Sequence, residues 1–490
     1  MGWSNTRDQA LRGRARLVIP GGMYGHMSTA LLPPEFPQFF ASGQGCRVRD
    51  ADGNEYVDFL CAYGPNLLGY NEAAVQQAAA RQQALGDVLS GPGEVLVELA
   101  ERFVAQVAHA QWALFCKNGT DATTTAMVLA RAHTGRKTVL LAHNAYHGSA
   151  PWCVPLARSS GTLAADRAHV VYFDYNNPDS LQAALRAHAG DVAAVFATPF
   201  RHDAFREQAM PDAAYAQAAR RLCDEHGALL VVDDIRAGFR LARDCSWSLV
   251  GVEPDVSCWG KCFANGHPIS AVLGAEKLRA AAQQIFVTGS FWFAAVPMAA
   301  AVETLRQIRD TDYLERIQAA GTQLRQGLDA RAAAHGFALR QTGPVQMPQI
   351  FFADDADFRL GYAWVVECLK RGALFHPWHN MFLSAAHTAQ DIAQALDCAE
   401  RAFAALRQRR AQLQPPAQIA AVVQMLQKEK EPLKKSLRQA GAAVLRGMQG
   451  AKRSRSGAAA SICNAADHQN PQMPAAQGIF QRFPTQEAEQ

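Results

Sequence analysis

From about residue 95 to 275 the chain alternates between two hydrophobic periods. Residues 95–108 and 122–133 repeat apolar positions every three to four residues, which lines them along one helix face. Between and after them come short runs that are apolar at almost every position. These are Thr138-Val139-Leu140-Leu141, Val170-Val171-Tyr172-Phe173, Val192-Ala193-Ala194-Val195-Phe196, Leu229 to Val232, and Ile269 to Leu273. A strand with one wet face alternates apolar and polar residues, whereas a strand apolar throughout is covered on both sides. Such strands separated by helices predict an α/β fold with a mostly parallel sheet. Sheets of this kind bind ligands beyond the carboxyl ends of their strands.

Before this region, residues 45–59 alternate about a turn at Asp52-Gly53-Asn54 and predict a β-hairpin. After it, residues 299–308 and 313–334 have helical spacing, a mixed stretch follows, and a last helix is expected over 388–406. The expected division is an N-terminal segment and hairpin at 1–60, counted with the small domain, and a large domain at 61–300. A small α+β domain at 301–410 and an appendage at 411–490 complete it. Past Pro415-Pro416 the pattern predicts a charged helix over 432–445, then a polar Ala/Gln/Ser-rich tail from Lys452 that is expected to be disordered.

Composition narrows the function classes. With 49% hydrophobic and 19% charged residues in 490, the chain is long enough for a sizeable core. A net charge of +4, with much of the basic excess near the C-terminus, argues against nucleic acid as a partner. No apolar stretch is long enough for a membrane span. Eleven cysteines are scattered without a CxxC pair, and Cys258 with Cys262 lacks a second pair or His partner, so no metal site is expected. They are read as reduced thiols of a cytoplasmic protein. Met1-Gly2-Trp3-Ser4-Asn5-Thr6 matches a myristoylation pattern only formally. The segment carrying Arg7, Arg12, Arg14 and Arg16, interrupted by Asp8, is read as a surface helix.

The chemistry centres on two residues. Asp233 ends the buried run Ala228-Leu229-Leu230-Val231-Val232, and Lys261 follows Trp259-Gly260. A strand-end carboxylate can keep a pyridine nitrogen protonated, and a neighbouring lysine can form a Schiff base with the same ring's aldehyde. Asn118-Gly119-Thr120 opens a helix and offers bare backbone N–H groups to a phosphate. Tyr146, in Tyr146-His147-Gly148, can stack on a pyridine face. Alone, each has a plainer reading: an N-cap turn, a packing aromatic, a strand-end cap, a solvated lysine. Their joint order, each after a strand, points to pyridoxal 5′-phosphate (PLP).

Across residues 15 to 405 the chain resembles the class III aminotransferases of PLP-dependent fold type I, especially their glutamate-1-semialdehyde aminomutase branch. The motifs that carry the resemblance are Ile19-Pro20-Gly21-Gly22, Asp52-Gly53-Asn54-Glu55-Tyr56-Val57-Asp58, Lys117-Asn118-Gly119-Thr120-Asp121-Ala122 and Thr134-Gly135-Arg136. Tyr146-His147-Gly148, Asp233-Asp234-Ile235 with Gly238-Phe239-Arg240, and Gly260-Lys261 with Gly266 and Pro268 continue the series.

The resemblance implies that Lys261 holds PLP as an internal aldimine and moves the substrate proton, and that Asp233 pairs with the pyridine nitrogen. Tyr146 would stack on the ring, while Asn118, Gly119 and Thr120 would cradle the phosphate. It further implies a homodimer with shared sites, in which Ser290 stands where the family offers a partner's hydroxyl to the phosphate.

Departures lie at the substrate end. Ser28 stands where the aminomutase has a carboxylate-binding Arg, His379 replaces an acidic residue, and Ala264-Asn265-Gly266-His267 replaces a Gly-Gly run. Thr198-Pro199 replaces a Glu-Pro. Arg240 is a candidate anion anchor, and Tyr24, Tyr63, Phe291, Trp292 and Trp378 are candidate pocket aromatics. The implied activity is a transaminase that passes an amino group between small-molecule amines and carbonyls through a pyridoxamine phosphate form. The alternative is an aminomutase-type isomerase, which moves the amino group within one skeleton. Losing a bidentate Arg would leave the aminomutase's short carboxylate without its best partner.

Overall fold

Helix α1 (Thr6–Val18) opens the structure, a computed structural model that describes residues 2–155 and 160–428. Its Asp8 is fully buried: the carboxylate accepts the N–H groups of Gln38 and Phe39, both at 2.9 Å, and pairs with Arg12 at 2.6 Å. The expected hairpin forms from β2 (Arg47–Asp50) and β3 (Glu55–Asp58), with β1 (Phe40–Gln44) added antiparallel to β2. Helices α2 (Ala73–Leu85) and α3 (Val95–Gln106) lead into the central region.

There the chain runs β4 (Trp112–Cys116), α4 (Gly119–Thr134), β5 (Thr138–Ala142), β6 (Val170–Phe173), α5 (Pro178–Ala187), β7 (Val192–Ala197) and α6 (Ala213–His226). It continues through β8 (Leu229–Asp233), β9 (Val256–Trp259), β10 (Ser270–Gly274) and α7 (Arg279–Gln284). The seven strands form one sheet in the order β4-β10-β9-β8-β7-β5-β6. Pairing is parallel except that β10 runs antiparallel to both neighbours. Every residue of the inner strands β5, β7, β8, β9 and β10 is buried, while the two edge strands are only partly covered. This is why the inner runs read as continuously apolar.

Beyond the sheet, α8 (Ala295–Asp310) packs on α2 and α3, and α9 (Tyr313–Ala334) follows it. A small antiparallel pair, β11 (Leu339–Thr342) with β12 (Gln349–Phe352), precedes α10 (Arg359–Leu369), β13 (Ala373–Leu374) and α11 (Ala389–Arg409). Strand β13 pairs in parallel with β3, so the N-terminal hairpin and a C-terminal strand share a sheet ordered β1-β2-β3-β13. Contacts divide the chain into a unit at 1–423 and another at 424–490. The expected charged helix at 432–445 and the polar tail from Lys452 lie outside the described residues. Among the described residues no helix is long and apolar enough to cross a membrane.

Candidate active site

The carboxyl ends of β4, β5, β8 and β9 open on a cavity of about 500 Å³. Asn118, Gly119, Thr120, Tyr146, Asp233 and Lys261 all line it. Each lies at, or within a few residues of, the carboxyl end of a strand.

At the end of β4 the Asp121 carboxylate accepts the backbone N–H groups of Asn118 (2.8 Å) and Lys117 (3.3 Å), which fixes the turn into α4. The N–H groups of Gly119 and Thr120 come next, and the first turn of a helix has no internal partner for them. Gly148 lets the turn after β5 approach closely. Its φ is +124°, and a Cβ there would stand 2.6 Å from Thr120 Oγ1. The cavity therefore has one end built from unpaired N–H groups at the positive end of a helix.

On the floor, Asp233 Oδ2 lies 2.8 Å from His147 Nδ1, and Oδ1 accepts the Ile235 N–H at 3.3 Å. A carboxylate only accepts, so Nδ1 carries the proton, and His147 Nε2 is buried without a partner among the described residues. The neighbouring Asp234 points elsewhere. Its carboxylate takes both the N–H (2.7 Å) and the hydroxyl of Ser246, and burial pushes it up to about 7. Of the two adjacent acids, only Asp233 lines the cavity.

Lys261 has a φ of +49°, a left-handed conformation uncommon for a residue with a side chain. Its Nζ donates to the carbonyl of Tyr63 at 3.1 Å, and Cys61, Ala62 and Tyr63 are themselves all left-handed. Burial, reinforced by the nearby Arg236 charge, brings the Lys261 amine down to about 8. The amine therefore reaches its neutral, nucleophilic form closer to neutral pH than an ordinary lysine does.

The donor set fits a flat, phosphate-bearing pyridine aldehyde. There are free N–H groups for the phosphate, a carboxylate for a ring nitrogen, an aromatic for a ring face, and a lowered amine for the aldehyde. Ser290 is not part of this lining. It is exposed, in a segment that also exposes Phe286 (92%), Phe291 (63%) and Phe293 (43%).

The departures fall as follows. Ser28 does not line the cavity; its hydroxyl accepts the Ala30 N–H at 3.3 Å, and His26 and Met27 face the space instead. Arg240 is completely buried with its guanidinium on the carbonyls of Gly64 (2.7 Å) and Leu383 and over the Phe382 ring. It therefore ties segments together and is not an anion anchor. Trp378 is stacked on Phe205 at 4.4 Å, while Tyr24 is 73% exposed.

Among the cavity residues that sequence did not single out are His147 and Arg236. His147 sat inside a motif already quoted, next to the Tyr. Arg236 follows Asp233 by three residues, and its signal was a charge in the loop directly after a buried strand.

The profile of the class-III aminotransferases matches residues 33–402. An aminopentol aminotransferase of Sphingopyxis macrogoltabida is 62% identical over 412 residues, 84% of this chain and 97% of that protein. A glutamate-1-semialdehyde 2,1-aminomutase of Deinococcus radiodurans is 31% identical over 433 residues, 81% of this chain and 97% of that one. Among solved structures, the PLP internal aldimine form of the FumI protein of Sphingopyxis sp. MTA144 is similar with a TM-score of 0.83 and 63% identity. That match covers 84% of this chain and 99% of that one.

Proposed function

The chain belongs to the class-III aminotransferases, PLP-dependent enzymes of fold type I that move an amino group between an amine and a carbonyl, and from that premise we propose how its residues divide the work. Gly119 and Thr120, with Asn118 at the turn, hold the phosphate through backbone N–H groups. Asp233 holds the ring nitrogen in its protonated form, and His147 orients Asp233 by donating to Oδ2. Tyr146 covers a ring face. When bound, PLP supplies the electron sink that stabilises negative charge on the carbon bearing the amine. Lys261 Nζ would hold the cofactor through its aldehyde and, once displaced by the donor's amine, would be the base placed to move the proton at the donor's amine-bearing carbon. The single observation that carries this reading is that Lys261, Asp233 and the start of α4 line one cavity.

We further propose transamination between two molecules, with a hydroxylated amine as donor. The relative at 62% identity is named for aminopentol, and the position of the aminomutase's carboxylate-binding Arg is here Ser28, which is turned into its own loop. A homodimer with shared sites is supported by exposed Phe286, Phe291 and Phe293 beside Ser290, which as apolar surface call for cover. Ser290 then offers its hydroxyl to the partner's phosphate. A cytoplasmic location is supported by ten cysteines that are buried and free among the described residues.

The test is a donor screen on the purified holoenzyme, following conversion of the cofactor's absorbance to that of its amine form. Hydroxylated aliphatic amines are expected to convert it. Efficient production of 5-aminolevulinate from glutamate 1-semialdehyde, with no external donor, would leave the aminomutase reading standing instead.

A further inference from the structure

Cys61, Ala62 and Tyr63 form an unbroken left-handed run, with φ of +46°, +54° and +62°, and Gly64 continues it at +113°. Each of the first three carries a Cβ that this conformation crowds, so the run persists only where its surroundings over-determine it. It lies directly on the active-site lysine. The Tyr63 carbonyl accepts Lys261 Nζ at 3.1 Å, and a Cβ on Gly64 would stand 3.3 Å from Lys261 Cδ. The lysine's own loop is locked to the residues that follow. Asn265 accepts the Leu68 N–H at 2.8 Å and donates to the Gly69 carbonyl at 2.9 Å.

Asp58, the last residue of β3, holds the entrance to the run. One carboxylate oxygen accepts the Leu60 N–H at 2.7 Å. The other accepts the Cys61 N–H at 3.0 Å and the Tyr70 hydroxyl at 2.7 Å. Asp58 is 1% exposed, and no cation pairs with it among the described residues. Burial raises it to about 6, against the pull of the three donors. A buried carboxylate without a counter-charge costs solvation, and an Asn makes similar turn contacts without that cost. What the charge holds is a strained run, and what the run presents is a carbonyl at Lys261 Nζ.

We propose that Asp58 is a positioning residue for Lys261, clamping the left-handed run so that the Tyr63 carbonyl seats the amine. Asp58 itself does not line the cavity, whereas Ala62 in the middle of the run does. A lysine stem is flexible, and a fixed acceptor at its tip removes that freedom before the amine reacts. This rests on the PLP-dependent reading of Lys261 and deepens it.

The experiment uses apoenzyme of wild type, Asp58→Asn and Tyr70→Phe with two ligands. Capture of PLP needs the Lys261 amine, whereas pyridoxamine 5′-phosphate has no aldehyde and binds through the other contacts alone. Asp58→Asn sets an NH2 group against backbone N–H donors, which opens the clamp. Its rate of PLP capture is expected to fall at least about tenfold, the scale of one hydrogen bond to a charged group. Its affinity for pyridoxamine 5′-phosphate is expected to stay within about threefold of wild type. Tyr70→Phe keeps the charge and both backbone contacts and is expected to fall between, so it decides the matter if Asp58→Asn does not fold. Equal losses for both ligands would make Asp58 merely structural and overturn the proposal. So would PLP capture within about twofold of wild type in every variant that folds.

Competitive acetylation of Lys261 across pH, read by mass spectrometry of its peptide, supplies a second readout that needs no cofactor. A carbonyl that accepts from the amine favours the charged form, so loosening the run should move the Lys261 midpoint below that of wild type. Tyr70→Phe removes no charge and separates this effect from the lost charge of Asp58. A midpoint that moves in neither variant, or in Asp58→Asn alone, overturns the seating role. If wild type captures no PLP, the PLP-dependent reading fails, and the acetylation profile still decides the role of Asp58.

Discussion

The contact between His147 and Asp233 makes a measurable claim about the cofactor. Both side chains are buried, and the Nδ1 to Oδ2 distance is 2.8 Å, the length of a charge-assisted hydrogen bond. His147 also meets Phe196 edge-on at 5.6 Å, so Phe keeps an aromatic ring in the same space while deleting the donor. His147→Phe leaves Asp233 with the Ile235 N–H at 3.3 Å as its remaining fixed donor. Hydrogen bonds to charged groups contribute about 1.5–3 kcal/mol. An acid that turns freely, or that protonates for want of a donor, binds a protonated pyridine nitrogen less well by a similar amount. The expected loss in PLP affinity is therefore about tenfold to a hundredfold. Equilibrium titration of apoenzyme with PLP, followed by absorbance, reads it directly, and the apoenzyme's thermal midpoint checks that the fold is intact. Affinity within twofold of wild type, with the fold intact, would refute the orienting role.

Four further outcomes are expected. Borohydride reduction of the holoenzyme and peptide mapping should fix PLP on Lys261, and Lys261→Ala should retain PLP only non-covalently with no turnover; a label on another lysine ends the assignment. Because only the unprotonated amine attacks an aldehyde, and burial lowers Lys261 to about 8, the rate of PLP capture by apoenzyme should rise with pH and level off above about 8; a midpoint near the ordinary lysine value contradicts the burial argument. Asp233→Asn should cost roughly two to four orders of magnitude in rate, since removing one buried charge costs about 3–5 kcal/mol, and near-normal single-turnover kinetics would shift the role away from Asp233. Mixing inactive Lys261→Ala with inactive Ser290→Ala chains should restore part of the activity if sites are shared across a dimer, whereas full activity in a sedimenting monomer rules sharing out.

How far the sequence reaches depends on whether a residue's environment is local. The inner strands were legible because burial on both faces demands apolar residues at nearly every position, and β5, β7 and β8 meet that demand everywhere but at the terminal Thr138 and Asp233. Strand β4 escaped because Trp112-Ala113-Leu114-Phe115-Cys116 has no β-branched residue and lies at a sheet edge. Residues expected at the cofactor came in motifs, and the six that line the cavity lie at, or within a few residues of, a strand's carboxyl end. What could not be read is which of two adjacent groups faces inward. Asp233 and Asp234 are indistinguishable in sequence, and a single residue's rotation sends one to the cavity and the other to Ser246. The same holds for the two arginines of that segment. Arg240 carries a family motif yet is spent on backbone carbonyls, while Arg236, which no quoted motif contained, lines the cavity. The partners that decide between them, Leu383 for one and Asn380 for the other, lie more than a hundred residues away. Which arginine reaches the cavity is therefore decided by long-range contacts to the 375–388 segment, which no local pattern around β8 could show.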